Sequence, residues 1–376
     1  MIDKVYLTSE SVGRGHPDKI CDEIADAILD CCLKHDPNSK VACEVFANNR
    51  LIVIGGNITT KCYVDVVQVA WSILKPLGYD ENDFSIISNI NNQSLDIAKQ
   101  VNKSKNLLGA GDQGIVFGYA TNETNQYLPI SYVLANEILI SIDKLIPTKL
   151  SYCKYDMKSQ VSIFYQKKKI IIDSIVVAIQ HAKKINLDLL RNDIKMYVIE
   201  PILKKYHLFS KHIKYFINKN GKFIIGGPIG DTGLTGRKIV VDTYGSIAHC
   251  GGGALSGKDS TKVDRSGAYF ARYIAKNIVA AKLADKCEVQ LSFCIGESKP
   301  LNMFINCFKT NKIALSKIYN AVNATFNFDL YNIIKELNLK KPIYYQTSVF
   351  GHFGKKNLPW EKVDKVKILR KYVYAR

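Results

Sequence analysis

The sequence predicts an α+β protein of two or three domains, and three observations lead there. At 376 residues the chain exceeds a single module, since domains commonly span about 100–200 residues. Strand-like and helix-like segments alternate in blocks of mixed order, unlike a regular parallel βαβ series. Hydrophobic residues at 47% and charged ones at 23% suit a chain that buries a real core, which excludes a disordered or fibrous protein.

The elements follow in order. From Pro17 to Leu33, apolar residues at 20, 24, 27, 28 and 31 give a helical period with proline in the first turn. Leu51–Ile54 reads as a strand ending at Gly55-Gly56. Tyr63–Leu74 reads as a helix closing before Pro76 and Gly78. After a polar stretch from Asn91 to Lys105, Ile115–Tyr119 is strand-like. Val161–Tyr165 and Ile170–Ile179 read as strands paired around a turn at Lys167–Lys169. Leu187–Glu200 is read as a helix stopped by Pro201. Lys222–Ile225 and Lys238–Val241 read as short strands bracketing the glycine-rich Gly226–Gly236, Asp264–Ala281 as a helix and Glu288–Ile295 as a strand. The order hints at a repeated two-strand-plus-helix unit, although no repeat period is legible.

Composition narrows the function classes. No uninterrupted apolar run approaches the roughly 20 residues of a membrane-spanning helix; the longest candidate, Ile170–Ile179, contains Asp173 and Ser174. The first residues lack the basic-then-apolar layout of a secretory signal, so a soluble cytoplasmic protein is expected. The net charge of +18 invites a nucleic-acid reading, but only 8 of the 52 basic residues are arginine. The lysines are dispersed, no nucleic-acid-binding motif accompanies them, and a solvated lysine surface is the favoured reading. The ten cysteines form no C-x-x-C pair and no zinc-like cluster with histidine, so reduced thiols are expected. Cys21, Cys31 and Cys32 act as small apolar residues of the first helix.

The chemistry concentrates in two glycine-rich runs, Gly226–Lys238 and Gly251–Arg265. Glycine lets backbone N–H groups converge on an anion. Here glycines alternate with Arg237, Lys238, Lys258, Lys262 and Arg265, and Asp231 and Asp264 add carboxylates suited to magnesium. Three of the eight arginines (Arg237, Arg265 and Arg272) fall between 237 and 272, which a general lysine bias would not produce. The set describes a polyphosphate–Mg²⁺ site, against the plainer alternative of tight turns with surface charges. Gly252–Lys258 fits G-x-x-x-x-G-K, but Asp259 stands where a P-loop needs Ser or Thr and no helix opens at Lys258, so a P-loop NTPase is set aside. His16 and Asp18 sit at the start of the first helix, where the dipole favours an anion, or serve simply as capping residues. Gly109-Ala-Gly-Asp112-Gln-Gly is a third acidic-glycine segment.

Together, Ser9-Glu-Ser-Val…Gly15-His-Pro-Asp-Lys, Gly109-Ala-Gly-Asp-Gln-Gly and Gly251-Gly-Gly-Ala-Leu-Ser-Gly-Lys-Asp resemble the S-adenosylmethionine synthetase (methionine adenosyltransferase) family of the bacterial type. The resemblance runs from Thr8 to about Leu369 and includes Gly351-His-Phe-Gly and Pro359-Trp-Glu-Lys. It implies three similar sheet-plus-helix domains related by a pseudo-threefold axis (1–100, 106–224 and 225–376). It also implies a homodimer or homotetramer with active sites at the subunit interface. The implied reaction joins ATP and methionine and hydrolyses the tripolyphosphate to pyrophosphate and phosphate. His16, Lys158, Arg237 and Lys258 are the implied catalytic residues. Asp156, Lys222, Phe223, Asp231, Lys238, Ala254 and Arg265 complete the ATP and polyphosphate set. Asn57, Gln93, Asp231 and Lys262 fall on the methionine side. Asp18 and Asp264 match the Mg²⁺ ligands and Glu44 the K⁺ ligand. Gln93, Ser94 and Lys103 belong to a gating loop, and Asp112 to a signature loop reaching the partner's site.

The chain departs from the family pattern at several positions. Asn57 stands where the family has a glutamate that contacts methionine, Arg14 replaces an acid, Lys222 an arginine, Thr232 a cysteine and Leu255 a phenylalanine. The gating loop is one residue shorter and lacks a proline after Ser94. Two other classes remain: an ATP-dependent transferase of kinase type, and a basic nucleic-acid-binding protein with an inert site.

Overall fold

Pro17 opens the first long helix, α1 (Pro17–His35), where its fixed φ suits the first turn and its missing N–H is not needed. His16 caps it, and Ile20, Ile24, Ile28 and Leu29 face inward. The computed structural model describes residues 5–92, 102–104, 107–166 and 169–374, with the side chains of 102–104 and 107 outside that description. Around α1 the chain forms β1 (Tyr6–Val12), β2 (Lys40–Asn48), β3 (Leu51–Thr59), α2 (Val66–Leu74) and β4 (Ser85–Asn91). Next come β5 (Asn102–Ser104), β6 (Leu107–Leu108), β7 (Gly114–Thr121), α3 (Ile130–Leu145), β8 (Cys153–Gln166) and β9 (Lys169–His181). Then α4 (Leu187–Asp193), α5 (Glu200–Lys205), β10 (Lys214–Ile217), β11 (Gly233–Leu234), α6 (Ile239–Asp242) and α7 (Val263–Ala280) follow. The chain closes with β12 (Lys286–Phe293), β13 (Asn302–Asn306), α8 (Leu315–Thr325), α9 (Leu330–Glu336) and α10 (Val366–Tyr374).

Three main sheets repeat one pattern. Each has an antiparallel hairpin, β2–β3, β8–β9 or β12–β13. Each hairpin's first strand also pairs, antiparallel, with a strand from a distant part of the chain. β1 joins β8, β7 joins β12, and the two-residue β11 joins β2. In two sheets a parallel strand follows on the other edge, β4 beside β3 and β10 beside β9. The exchange is cyclic: the N-terminal segment lends β1 to the central sheet, the central segment lends β7 to the C-terminal sheet, and the C-terminal segment returns β11 to the N-terminal one.

The helices cover one face of each sheet, α1 on β2, α3 on β1 and β8, and α7 on β7 and β12. Two hydrophobic cores result. One, including Ile138, Met157, Val161 and Ile175, lies under the central sheet. The other is shared by the N-terminal and C-terminal sheets and runs from Ile24 and Val45 to Tyr269, Ile274 and Trp360.

The structure alters several sequence expectations. β3 continues through Gly55-Gly56, because Gly56 takes φ +123° and a Cβ there would lie 2.0 Å from the Ala42 carbonyl oxygen of β2. Residues 239–242 form a helical turn where their β-branched run suggested a strand. Residues 222–224 are in no strand, although Phe223 exchanges hydrogen bonds with His181 at the end of β9. Pro201 does not stop its helix. A π-helical turn, Ile194–Ile199, shifts the hydrogen bonding so that Pro201 enters the first turn of α5, where its missing N–H is tolerated. Of the polar stretch 91–105, residues 93–101 and 105 lie outside the described residues.

Candidate active site

The site begins at the N-terminus of α1. The Nδ1 atom of His16 accepts the Asp18 N–H at 3.2 Å, so the proton of the neutral ring sits on Nε2. Burial, then the nearby Lys238 and Lys158, push the His16 pKa down to about 3, which keeps the imidazole neutral. Asp18 accepts the Leu234 N–H at 3.0 Å and pairs with Lys238 Nζ at 2.5 Å; Arg237 Nε lies 3.7 Å away. Burial would raise this carboxyl, but the bonds from Lys238 and Leu234 outweigh it and hold the pKa low. Lys158 is exposed on β8, in register with Val12 of β1. Two residues earlier, Asp156 is buried and accepts the Gly227 N–H at 2.8 Å through Oδ2, while its Oδ1 is buried without a partner. Burial raises its pKa. Phe223 is half-buried near this edge, beside the exposed Lys222, and Asp231 is exposed on the loop leading to β11.

A second group gathers where α7 opens. Lys258 Nζ lies 2.6 Å from Asp264 Oδ2, and Lys262 pairs with the buried Asp259. Asp259 also accepts the N–H groups of Val41 and Thr261, and the cations Lys262 and Lys40 hold it below the usual carboxylate range despite burial. A Cβ on Gly253 would fall 2.1 Å from the Asp264 carboxyl carbon, so only glycine leaves that carboxylate its place. Asn57, Asp112, Lys258, Lys262 and Asp264 line one cavity of about 170 Å³ together with Lys40. A larger cavity of about 820 Å³ adjoins it through Lys40 and Thr261, walled by Leu33, Tyr331 and Ile334. Among the described residues no hydrogen bond or ion pair joins this group to the one around His16. Their loops do touch, since a Cβ on Gly236 would fall 2.3 Å from the Cβ of Ala254.

Residues 4–103, 107–223 and 225–362 match, in turn, the N-terminal, central and C-terminal domains of S-adenosylmethionine synthetase. The chain belongs to the S-adenosylmethionine synthetase family. It is 54% identical over 375 residues to the S-adenosylmethionine synthase of Mycoplasmopsis pulmonis, covering 99% of this chain and 100% of that protein. Over 380 residues it is 50% identical to the synthase of Mycoplasma mycoides subsp. mycoides, covering 99% and 98%. Against the synthase of Treponema denticola it is 46% identical over 382 residues, covering 98% of each.

Within this synthetase-family chain, most of the expected residues fall into the two groups, and a few stand apart. Glu44 is exposed on β2, across from Gly55. Gln93 and Ser94 lie outside the described residues, as does the side chain of Lys103. Arg265 differs most from the expectation that it holds polyphosphate. It is fully buried, and its guanidinium is engaged by both oxygens of Asp26, the Lys258 carbonyl, Thr347 and Tyr269. No N–H of the fork is left for a ligand. Arg272 is likewise buried, against Glu361 and the carbonyls of Tyr119, Gln126 and Tyr127.

Sequence reasoning passed over the aspartates behind the site. Asp22, Asp26 and Asp30 follow Asp18 at four-residue intervals along α1, a periodicity in the sequence that places them on neighbouring turns of the helix. It also missed Lys40, which lines both cavities.

Proposed function

We propose that the chain transfers the adenosyl group of ATP to the sulfur of methionine and then hydrolyses the released tripolyphosphate to pyrophosphate and phosphate. The observation that carries this reading is the buried His16 at a helix N-terminus, near the cations Lys238 and Lys158, with Arg237 beside its neighbour Asp18. Methionine sulfur is an uncharged nucleophile and needs no general base. Its lone pair attacks C5′, and the electrons of the C5′–O bond pass to the departing tripolyphosphate. The demand on the protein is in-line placement and stabilisation of that polyanion. His16, with its proton on Nε2, donates a hydrogen bond to the bridging oxygen, while Arg237, Lys238, Lys158 and Lys258 neutralise phosphate oxygens. Phe223 stacks on the adenine, with Asp156, Lys222, Asp231 and Ala254 around the nucleotide. Asn57, Gln93, Asp231 and Lys262 receive methionine.

Asp18 and Asp264 fit the role of magnesium ligands. Mg²⁺ is commonly held by one or two carboxylates and the substrate's own phosphates. Each carboxylate now pairs with a lysine, and the space that Gly253 leaves beside Asp264 suits such a ligand. Magnesium supplies neutralisation of the polyphosphate charge; Glu44 is proposed for potassium. The groups around His16 and Lys258 are read as halves of two active sites in a homodimer, each completed by the partner, with 1–100, 106–224 and 225–376 as three domains about a pseudo-threefold axis. Exposed apolar residues on the uncovered sheet faces, Phe46, Ile115 and Phe304, support self-association. Gln93, Ser94 and Lys103 are assigned to a gating loop, and Asp112 to the neighbouring site.

One assay tests the reading. Purified protein with ATP, methionine, Mg²⁺ and K⁺ is expected to form S-adenosylmethionine with pyrophosphate and phosphate, each dependent on methionine. Appearance of ADP or AMP with a modified acceptor would overturn it.

A further inference from the structure

The aspartates of α1 form a ladder that holds the loops carrying the phosphate-binding cations. Four-residue spacing places successive side chains about one turn apart on neighbouring positions of the helix surface. Each accepts a backbone N–H from outside the helix. Asp18 takes that of Leu234 at 3.0 Å, Asp22 that of Gly236 at 2.9 Å and Asp26 that of Gly257 at 2.8 Å. Asp30 takes those of Tyr344 and Tyr345. Gly236 directly precedes Arg237 and Lys238, and Gly257 directly precedes Lys258.

The two middle rungs are buried and held from behind. Asp22 pairs with Lys19 at 2.9 Å, and Lys19 also pairs with Asp242; none of the three reaches solvent appreciably. Asp26 receives both arms of Arg265, which also donates to the Lys258 carbonyl. Neither aspartate belongs to the set proposed to touch substrate. A carboxyl oxygen bonded to the amide just before a cation determines where that cation's backbone sits. We propose that Asp22 and Asp26 are positioning residues of the polyphosphate site, Asp22 for Arg237 and Lys238 and Asp26 for Lys258. The proposal rests on the function given above.

The test compares Asp22→Asn with Asp30→Asn, a rung of the same helix that holds no cation loop. Wild-type protein is first assayed for S-adenosylmethionine formation; failure there removes the function itself and not merely the ladder. In the variants, hydrolysis of added tripolyphosphate and the KM values for ATP and methionine are measured, with thermal unfolding to register stability. Small displacements of catalytic groups cost up to about 100-fold. Asp22→Asn is therefore expected to raise the tripolyphosphate and ATP KM values, or lower kcat, by about 10- to 100-fold, with the methionine KM unchanged. Asp30→Asn is expected to lower the unfolding temperature only. Because Asp22→Asn leaves Lys19 with Asp242 as its remaining carboxylate partner, Lys19→Met/Asp22→Leu/Asp242→Asn is tested beside it, removing all three buried charges together. Wild-type kinetics in a folded Asp22 variant, or the same change in Asp30→Asn, would overturn the proposal. If neither Asp22 variant folds, Asp26→Asn, read through the tripolyphosphate KM and judged by the same criteria, decides the matter.

Discussion

Arg265 and Asp26 meet as a bidentate pair in which neither side chain reaches solvent, with Nη1–Oδ1 at 2.7 Å and Nη2–Oδ2 at 2.9 Å. The guanidinium also stacks on Tyr344, 4.2 Å from its ring centroid. Such a pair contributes little net stability over an apolar one, but losing one partner strands a buried charge. Arg265→Leu is therefore expected to cost about 3–5 kcal/mol of folding stability in urea unfolding, and adding Asp26→Leu is expected to restore most of it. Equal losses in the single and double variants would refute this account of the pair.

His16 makes acid stability a readout of its burial. Its folded pKa of about 3 lies below the ordinary 6.5, so between these values the unfolded chain binds a proton that the folded ring refuses. The ring's contribution is complete above about pH 6.5 and declines as the pH falls toward 3. At pH 5 the deficit is about 2 kcal/mol. The stability of His16→Asn is expected to fall less than that of the wild type between pH 7 and 5. Parallel curves for the two proteins would show that the ring titrates normally.

Asn57 lines the cavity that also holds Lys40, Lys262 and Asp112. A carboxylate there would pair with the methionine ammonium, and charged hydrogen bonds contribute about 1.5–3 kcal/mol. Asn57→Glu should lower the methionine KM about tenfold or more while leaving the ATP KM in place. An unchanged methionine KM would mean that another group already supplies the charge.

Gly253 guards Asp264. The methyl group of Gly253→Ala would strike the carboxylate and push it aside without altering the core. Disturbing a group that orients a metal ligand costs about 10- to 100-fold in metal affinity. The Mg²⁺ concentration for half-maximal activity is expected to rise by that factor, with the unfolding temperature nearly unchanged. A normal Mg²⁺ requirement would argue that Asp264 does not hold the metal.

Much of this was legible in the chain itself. Proline followed by a helical period located α1, and the glycine-cation runs located both loops, because local spacing carries that information. What escaped depends on partners far away in sequence. Arg265, expected to hold polyphosphate, and Arg272, noted with it as part of an arginine cluster, both turn their forks inside the core, against Asp26 and Glu361. The turn at 239–242 was misread because valine and isoleucine favour strands only where a neighbouring strand exists. The recruitment of β11 is settled by two residues, too few for any periodicity to announce.

The cyclic lending of strands has a consequence for dissection of the molecule. Cutting away residues up to Val12 would expose an edge of the β8–β9 sheet, whose remaining strands lie in a different third of the sequence. Removing the C-terminal third would likewise take β7's partner from the middle one and bare β2 in the first. Fragments made along the linear boundaries are thus expected to be insoluble alone and to recover shape only when mixed. The intact chain should melt in a single step, none of its thirds outliving the others.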